Sequence, residues 1–238
     1  MSLLDTIKSI FRGKPELPKA PRPPEESRRI YLRGDRLVWR DMADVKAALG
    51  DRVTYLGNTV NLKGAVISGK NLPHPKDKQN EGSPGVQIII PGFTLINGWV
   101  DDSPGGLIVK RRNCGFRSLT FINIGEDALS TVGDDAMDLK ASNCDFWNAG
   151  GDKSIQLNQA YGAILFGCRI VGGITGIRVQ KDSYKTKDVN CSIRDFLFEG
   201  METGMNVAGG ATVRLGSPTF KNVRKKWVLG KGCRVVEN

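Results

Sequence analysis

Residues 133–180 read GDDAMDLKASNCDFWNAGGDKSIQLNQAYGAILFGCRIVGGITGIRVQ, and three short segments within them decide the fold. AMDLK (136–140), SIQLN (154–158) and GIRVQ (176–180) superimpose so that Met137, Ile155 and Ile177 coincide, followed by Leu139, Leu157 and Val179. Alternation along a strand sends these apolar residues to one face and Asp138, Gln156 and Arg178 to the other. As successive rungs of a stacked parallel sheet, the segments carry Asp138, Gln156 and Arg178 in one outward column and Lys140, Asn158 and Gln180 in a second beside it. Acidic and amide-rich turns, Asp134-Asp135 and Asp152-Lys153, lead into the first two rungs. Polar and charged groups are thereby gathered at one end of one face, as in a groove for a charged ligand.

The rung can be traced outward in both directions: Leu107-Ile108-Val109 precedes it and Met205-Asn206-Val207 follows it. Cys114, Cys144, Cys168 and Cys191 form a second marker, each with an apolar residue two positions on (Phe116, Phe146, Ile170, Ile193). The last three lie about one solenoid coil apart, inside the range of roughly 20 to 50 residues typical of such repeats. The longer gap from Cys114 to Cys144 is assigned to an acidic insertion, GEDALSTVGDDA (125–136). The expected fold is all-β, a parallel β-helix with a short N-terminal helix and a proline-rich tether.

Composition agrees. The chain of 238 residues is 39% hydrophobic and 25% charged, and no apolar run reaches the ~20 residues of a membrane span. With 29 glycines and 7% aromatics it favours many tight turns over a helical bundle. A formal charge of +10 points to a polyanionic partner. Acidic polysaccharide is favoured over nucleic acid, because no RNA-binding aromatic signature or finger spacing is present. Five cysteines without a CxxC, and a single histidine, His74, read as buried thiols rather than as disulfides or a Cys/His metal site.

Three regions follow in order. Residues 1–27 comprise a docking helix and a tether: Leu3, Leu4, Ile7, Ile10 and Phe11 fall near one helical face, and PELPKAPRPPEE (15–26) is a semi-rigid extended spacer. Asp5 interrupts what an export signal would need as its apolar core, and no small-residue cleavage site follows. Residues 1–14 are expected to dock on a larger protein assembly, the plainer alternative being a frayed amphipathic helix. Residues 28–52 read as a strand pair turning at Gly34-Asp35 and a helix around Met42 to Leu49 ended by Gly50, capping the solenoid. Residues 53–238 form the β-helix, with a projecting loop at 72–85, a lysine-protected edge at 221–226 and a last rung closed by Trp227 and Val235-Val236.

The stretch from Asp134 to Arg178 resembles the small pectate lyases of polysaccharide lyase family 3, which are right-handed parallel β-helices. Their acidic pair followed by Ala and Lys is matched by Asp134, Asp135, Ala136 and Lys140, and their Asp-Lys-x-x-Gln-x-Asn by Asp152, Lys153, Gln156 and Asn158. Arg178 stands where the family carries its proton-abstracting arginine. The resemblance spans about residues 85–182. It departs at Asp138, where a hydroxyl residue is usual, at Ile174–Gly176, where basic residues are usual, and at Val179-Gln180-Lys181 in place of Ser-Cys-Gly.

The resemblance implies β-elimination of polygalacturonate with Ca²⁺ held by Asp134 and Asp135, Glu126 and Asp127 competing for that role. Lys140 and Lys153 would then hold neighbouring uronates, Arg178 would act on the proton, and Gln156, Asn158, Asp138 and Gln180 would contact the substrate. A guanidinium ordinarily stays protonated to about pH 12, so Arg178 acts as base only if strongly perturbed, or else stabilises the enolate-like intermediate. The N-terminal arrangement also resembles bacteriophage virion components, which reach the outside by lysis and need no signal. The expectation is therefore a virion-associated spike or decoration protein that contacts, and in its active form cleaves, acidic host-surface polysaccharide, with a homotrimer by analogy. The alternatives are a free secreted calcium-dependent pectate lyase, and a purely structural virion component whose outward polar residues stack only to satisfy one another.

Overall fold

The computed structural model describes residues 17–73, 85–133, 135–147, 153–158, 161–180 and 190–237. They form a parallel β-solenoid of about six turns. Among the described residues the strands fall into one sheet of 15 and one of eight. The eight-stranded sheet stacks, in order, Val38–Trp39, Val86–Ile88, Leu107–Val109, Leu129–Thr131, Lys153–Asn158, Thr175–Gln180, Thr203–Ala208 and Lys225–Leu229. Val86, Leu107, Leu129, Ile155, Ile177, Met205 and Trp227 follow one another up its inner face. The larger sheet is folded into two flanks by the long strands Thr94–Ser103 and Gly115–Ile124, each of which pairs on both sides of a bend. One flank contributes an aromatic ladder, with Phe121 stacked on Phe146 at 4.8 Å and Phe198 on Phe220 at 4.9 Å. Among the described residues no helix is long and apolar enough to cross a membrane.

Corners between flanks require residues that tolerate positive φ, which is why they read Asn, Asp, Ser or Gly. Asn97, Ser118, Asn143, Gly167, Asp195 and Ser217 turn successive coils at one corner, all with φ between 49° and 60°. Gly92, Asn113, Asp138 and Gly162 do the same at another. There the N–H of Gly92 donates to the Arg112 carbonyl, that of Asn113 to Met137 and that of Asp138 to Tyr161, so the backbone ladder continues round the bend.

Asp138 is thus a corner residue with φ 55°, not an outward rung residue. An aspartate tolerates that conformation where most L-residues lose about 1–2 kcal/mol. Lys140 follows on the strand Lys140–Ser142, paired with Gly115–Arg117 and Ile164–Phe166 in the larger sheet. The rung beneath SIQLN is instead Leu129-Ser130-Thr131, inside the stretch read above as an insertion.

The cysteine marker also divides. Cys144 and Cys168 stack at one corner, the Cys144 N–H lying 3.4 Å from the Cys168 sulfur. Cys114 and Cys191 belong to the neighbouring inner column, separated by Leu139 and Ala163. All four are buried free thiols.

The N-terminal segments do more than lead in. The Arg29–Tyr31 strand pairs with Val66–Ser68 in the larger sheet and Val38–Trp39 pairs with Val86–Ile88 in the smaller, so Gly34-Asp35 does not join a hairpin. The helix Met42–Leu49 is as expected: the Asp41 side chain accepts from the N–H groups of Ala43 and Asp44, Gly50 ends it at φ 65°, and Val45 and Leu49 are buried. The described part of the proline-rich stretch lies along the solenoid rather than standing off it. Ala20, like Trp99, packs against the cluster of Ile122, Trp147 and Val171, which face outward from one flank. Leu17 lies against Gly200, where any Cβ would collide with it. From Leu17 to Arg29 the chain therefore runs as a strap across successive coils. Residues 1–16, which include the expected docking helix, lie outside the described residues, as do 74–84 of the expected projecting loop.

Candidate functional site

The outer face of the eight-stranded sheet carries a polar strip. Gln156 and Arg178 are direct partners on adjacent parallel strands, with Ser130 one rung before and Asn206 one rung after. Asn158 and Gln180 pair in the column alongside. The strip exists because the inward positions on either side, Ile155 and Leu157, Ile177 and Val179, are fully buried and fix the alternation. Thr131 departs from that apolar rule. It is fully buried, and its hydroxyl donates to the Asn158 carbonyl at 2.9 Å, which satisfies it.

Gln156 Oε1 and Arg178 Nε are both buried, and neither has a hydrogen-bond partner among the described residues. Leaving such an atom unpaired costs on the order of 1–3 kcal/mol. Rungs lie about 4.8 Å apart, so the two atoms belong to side chains within reach of one bound group.

No family model and no characterised protein matches the sequence.

Other residues implied by the resemblance are distributed differently. Lys153 shares the sheet, and its ammonium is 3.6 Å from Asp127 Oδ1. Asp135 is held by Arg112 at 3.0 Å and Arg111 at 3.7 Å. Glu126 is exposed beside Asp127. Asp138 and Lys140 lie at the corner and on the other sheet, as described, and Asp134 is outside the described residues. Among the described residues no group of three or more His, Cys, Asp or Glu stands together to hold a metal. Ca²⁺ takes about six to eight oxygens, whereas Asp127 and Asp135 already face side-chain cations.

Sequence reasoning missed Ser130 because Leu129-Ser130-Thr131 lacks the second inward apolar residue that marks the other rungs. The signal available was Leu129 itself, spaced from Leu107 as a coil requires. A surface hollow of about 560 Å³ at the N-terminal end, lined by Arg29, Arg33, Asp51 and Arg52 among others, is a separate feature remote from the strip.

Proposed function

We propose that the strip centred on Gln156 and Arg178 binds an acidic polysaccharide without cleaving it. The observation that carries this reading is the pair of buried, unpartnered polar atoms on adjacent rungs, one acceptor and one donor. A uronate supplies the complement to both: its carboxylate accepts from the guanidinium, and its hydroxyls donate to Gln156 Oε1 and bond to the amides of Asn158, Gln180 and Asn206. The formal charge of +10 adds long-range attraction for a polyanion. Binding is favoured over elimination because two of the carboxylates that the resemblance assigns to a metal, Asp127 and Asp135, are engaged by Lys153 and by Arg111 and Arg112.

The test is incubation with polygalacturonate and other uronate polymers, with and without Ca²⁺, following both retention of the protein and absorbance of unsaturated products. Salt-sensitive retention that is weakened in Arg178→Ala, with no product, supports the proposal. Product formed by the parent and lost in Arg178→Ala would establish a lyase instead. Absence of retention on every acidic polymer would leave a structural component.

A further inference from the structure

The outward column that carries Gln156 and Arg178 can be followed along the solenoid. Gln87, Ile108, Ser130, Gln156, Arg178, Asn206 and Val228 are successive partners on its parallel strands. The polar part is bounded, because Ile108 closes off Ser130 on one side and Val228 closes off Asn206 on the other. Four polar rungs therefore span about 14 Å along the solenoid axis. The two buried atoms without partners, Gln156 Oε1 and Arg178 Nε, stand on adjacent rungs rather than within one strand. A linear ligand that meets both crosses the strands and runs along the axis. A glycan chain advances by roughly one rung, about 4.8 Å, per pyranose, so this orientation sets one sugar on each rung.

Charge is distributed unevenly over those rungs. Arg178 is the one cation of the column, between Gln156 and Asn206, with Asn158 and Gln180 alongside. In the register position on the other side Lys153 is followed by Thr175 and Thr203, and its ammonium lies 3.6 Å from Asp127 Oδ1. A carboxylate fits over Arg178. Against the buried Gln156 Oε1 it would set acceptor against acceptor, with no cation there to offset its lost hydration. Over Ser130 and Asn206 it would meet neutral groups only. A sugar hydroxyl donates to Gln156 Oε1 without that penalty.

We infer that the preferred ligand is a mixed glycan in which one uronate is flanked by neutral sugars. It lies along the solenoid axis with its acid over Arg178 and a neutral residue over Gln156. This rests on the reading of the strip as a saccharide site. It sets aside a polymer with a carboxylate on every sugar as the preferred ligand, because such a chain presents acid to Gln156 and Asn206 as well. The formal charge of +10 attracts any polyanion from a distance, whereas the single arginine in the strip selects how densely the bound chain is charged.

Galacturonate oligomers of one length test the inference in three forms: fully acidic, with about three acids in four reduced to the alcohol, and fully reduced. Affinities are compared at about 0.15 M salt, where attraction from distant charges is screened. The partly reduced oligomer should bind the full chain about tenfold or more tighter than either extreme. Asn206→Lys, which sets a second cation one rung from Arg178, should move the preference toward the fully acidic oligomer. Tightest binding of the fully acidic form by the parent overturns the inference and leaves acidic-saccharide binding standing. Equal binding of the partly and fully reduced forms also overturns it, because the strip would then read hydroxyls alone. Binding of none of the three by the folded chain removes the saccharide reading on which the inference rests.

Discussion

Arg29 closes a 2.6 Å ion pair with Asp101 across the base of the strap, and the Asp101 side chain is only 3% exposed. Asn123 Nδ2 approaches the other carboxylate oxygen at 3.4 Å. The pair fixes the end of the strap where it enters the first coil.

Removing the cation alone should therefore be costly. Arg29→Ala leaves a buried carboxylate without its charge partner, which costs about 3–5 kcal/mol. For a chain of this size that lowers Tm by roughly 6–20 °C. Arg29→Ala/Asp101→Asn should recover much of the loss, because no charge is then stranded and the Asn123 contact can be re-formed. Thermal melting of the two variants checks this, and equal losses would contradict it.

A second prediction concerns the corner that displaced Asp138 from the strip. Gly162 has φ 73°, and a Cβ there would collide with Asp138 Oδ1. Gly162→Ala should destabilise by at least the ~1–2 kcal/mol of a left-handed L-residue, read as a lower urea midpoint. Asp138→Gly added to it should return the steric part only. Asp138→Val, β-branched at the same corner, should be worse than Asp138→Asn.

These corners explain what the sequence could and could not reveal. The rungs at Ile155, Ile177 and Met205 are legible because an apolar residue, an outward polar one and a second apolar residue repeat without interruption. The preceding rung is hidden because Thr131 takes the second inward place and is satisfied by the Asn158 carbonyl, which no local pattern announces. AMDLK imitates the missing rung because Asp138 obeys a corner rule that also selects polar residues. Four of the six residues in the expected columns, Gln156 over Arg178 and Asn158 over Gln180, keep their stacking because it depends only on intact rungs. The strap was illegible for a different reason. A free linker and a segment lying on a protein surface share the same proline-rich composition, since proline lacks the N–H that would demand a partner. Only the positions of Leu17 and Ala20 distinguish them.

Burial pushes the Cys114 thiol up to about 11 and Cys191 up to about 12, from an ordinary value of 9.0. Because the folded values are raised, the folded chain retains protons that the unfolded chain has lost above pH 9. Their contribution to stability is thus fully present below about pH 9 and is lost as pH rises through 11 to 12. Tm should fall across this window. In Cys114→Ala/Cys191→Ala the fall between pH 9 and 11 should be shallower, whatever the starting Tm. At pH 8 both thiols should resist alkylation in the native state, while the partly exposed Cys233 reacts.

The strip itself predicts opposite effects on stability and affinity. Gln156→Leu removes a buried acceptor that has no partner, while the flanking inward residues Ile155 and Leu157 keep the register. The variant should be more stable than the parent by about 1 kcal/mol, a rise in Tm of roughly 2–4 °C. Its affinity for the acidic polymer should nevertheless fall, because the hydroxyl donor in the ligand loses its acceptor. Arg178→Ala should weaken affinity further, by the 1.5–3 kcal/mol typical of hydrogen bonds to a charged group, or about 10- to 150-fold. Arg178→Lys should recover only part of it, since a point charge does not reproduce the planar fork. If the residues stacked only to satisfy one another, Gln156→Leu would destabilise the fold and neither change would alter retention on the polymer. Melting and binding measured on the same preparations therefore separate a ligand-binding strip from inert stacking, because only a binding strip makes a stabilising substitution cost affinity.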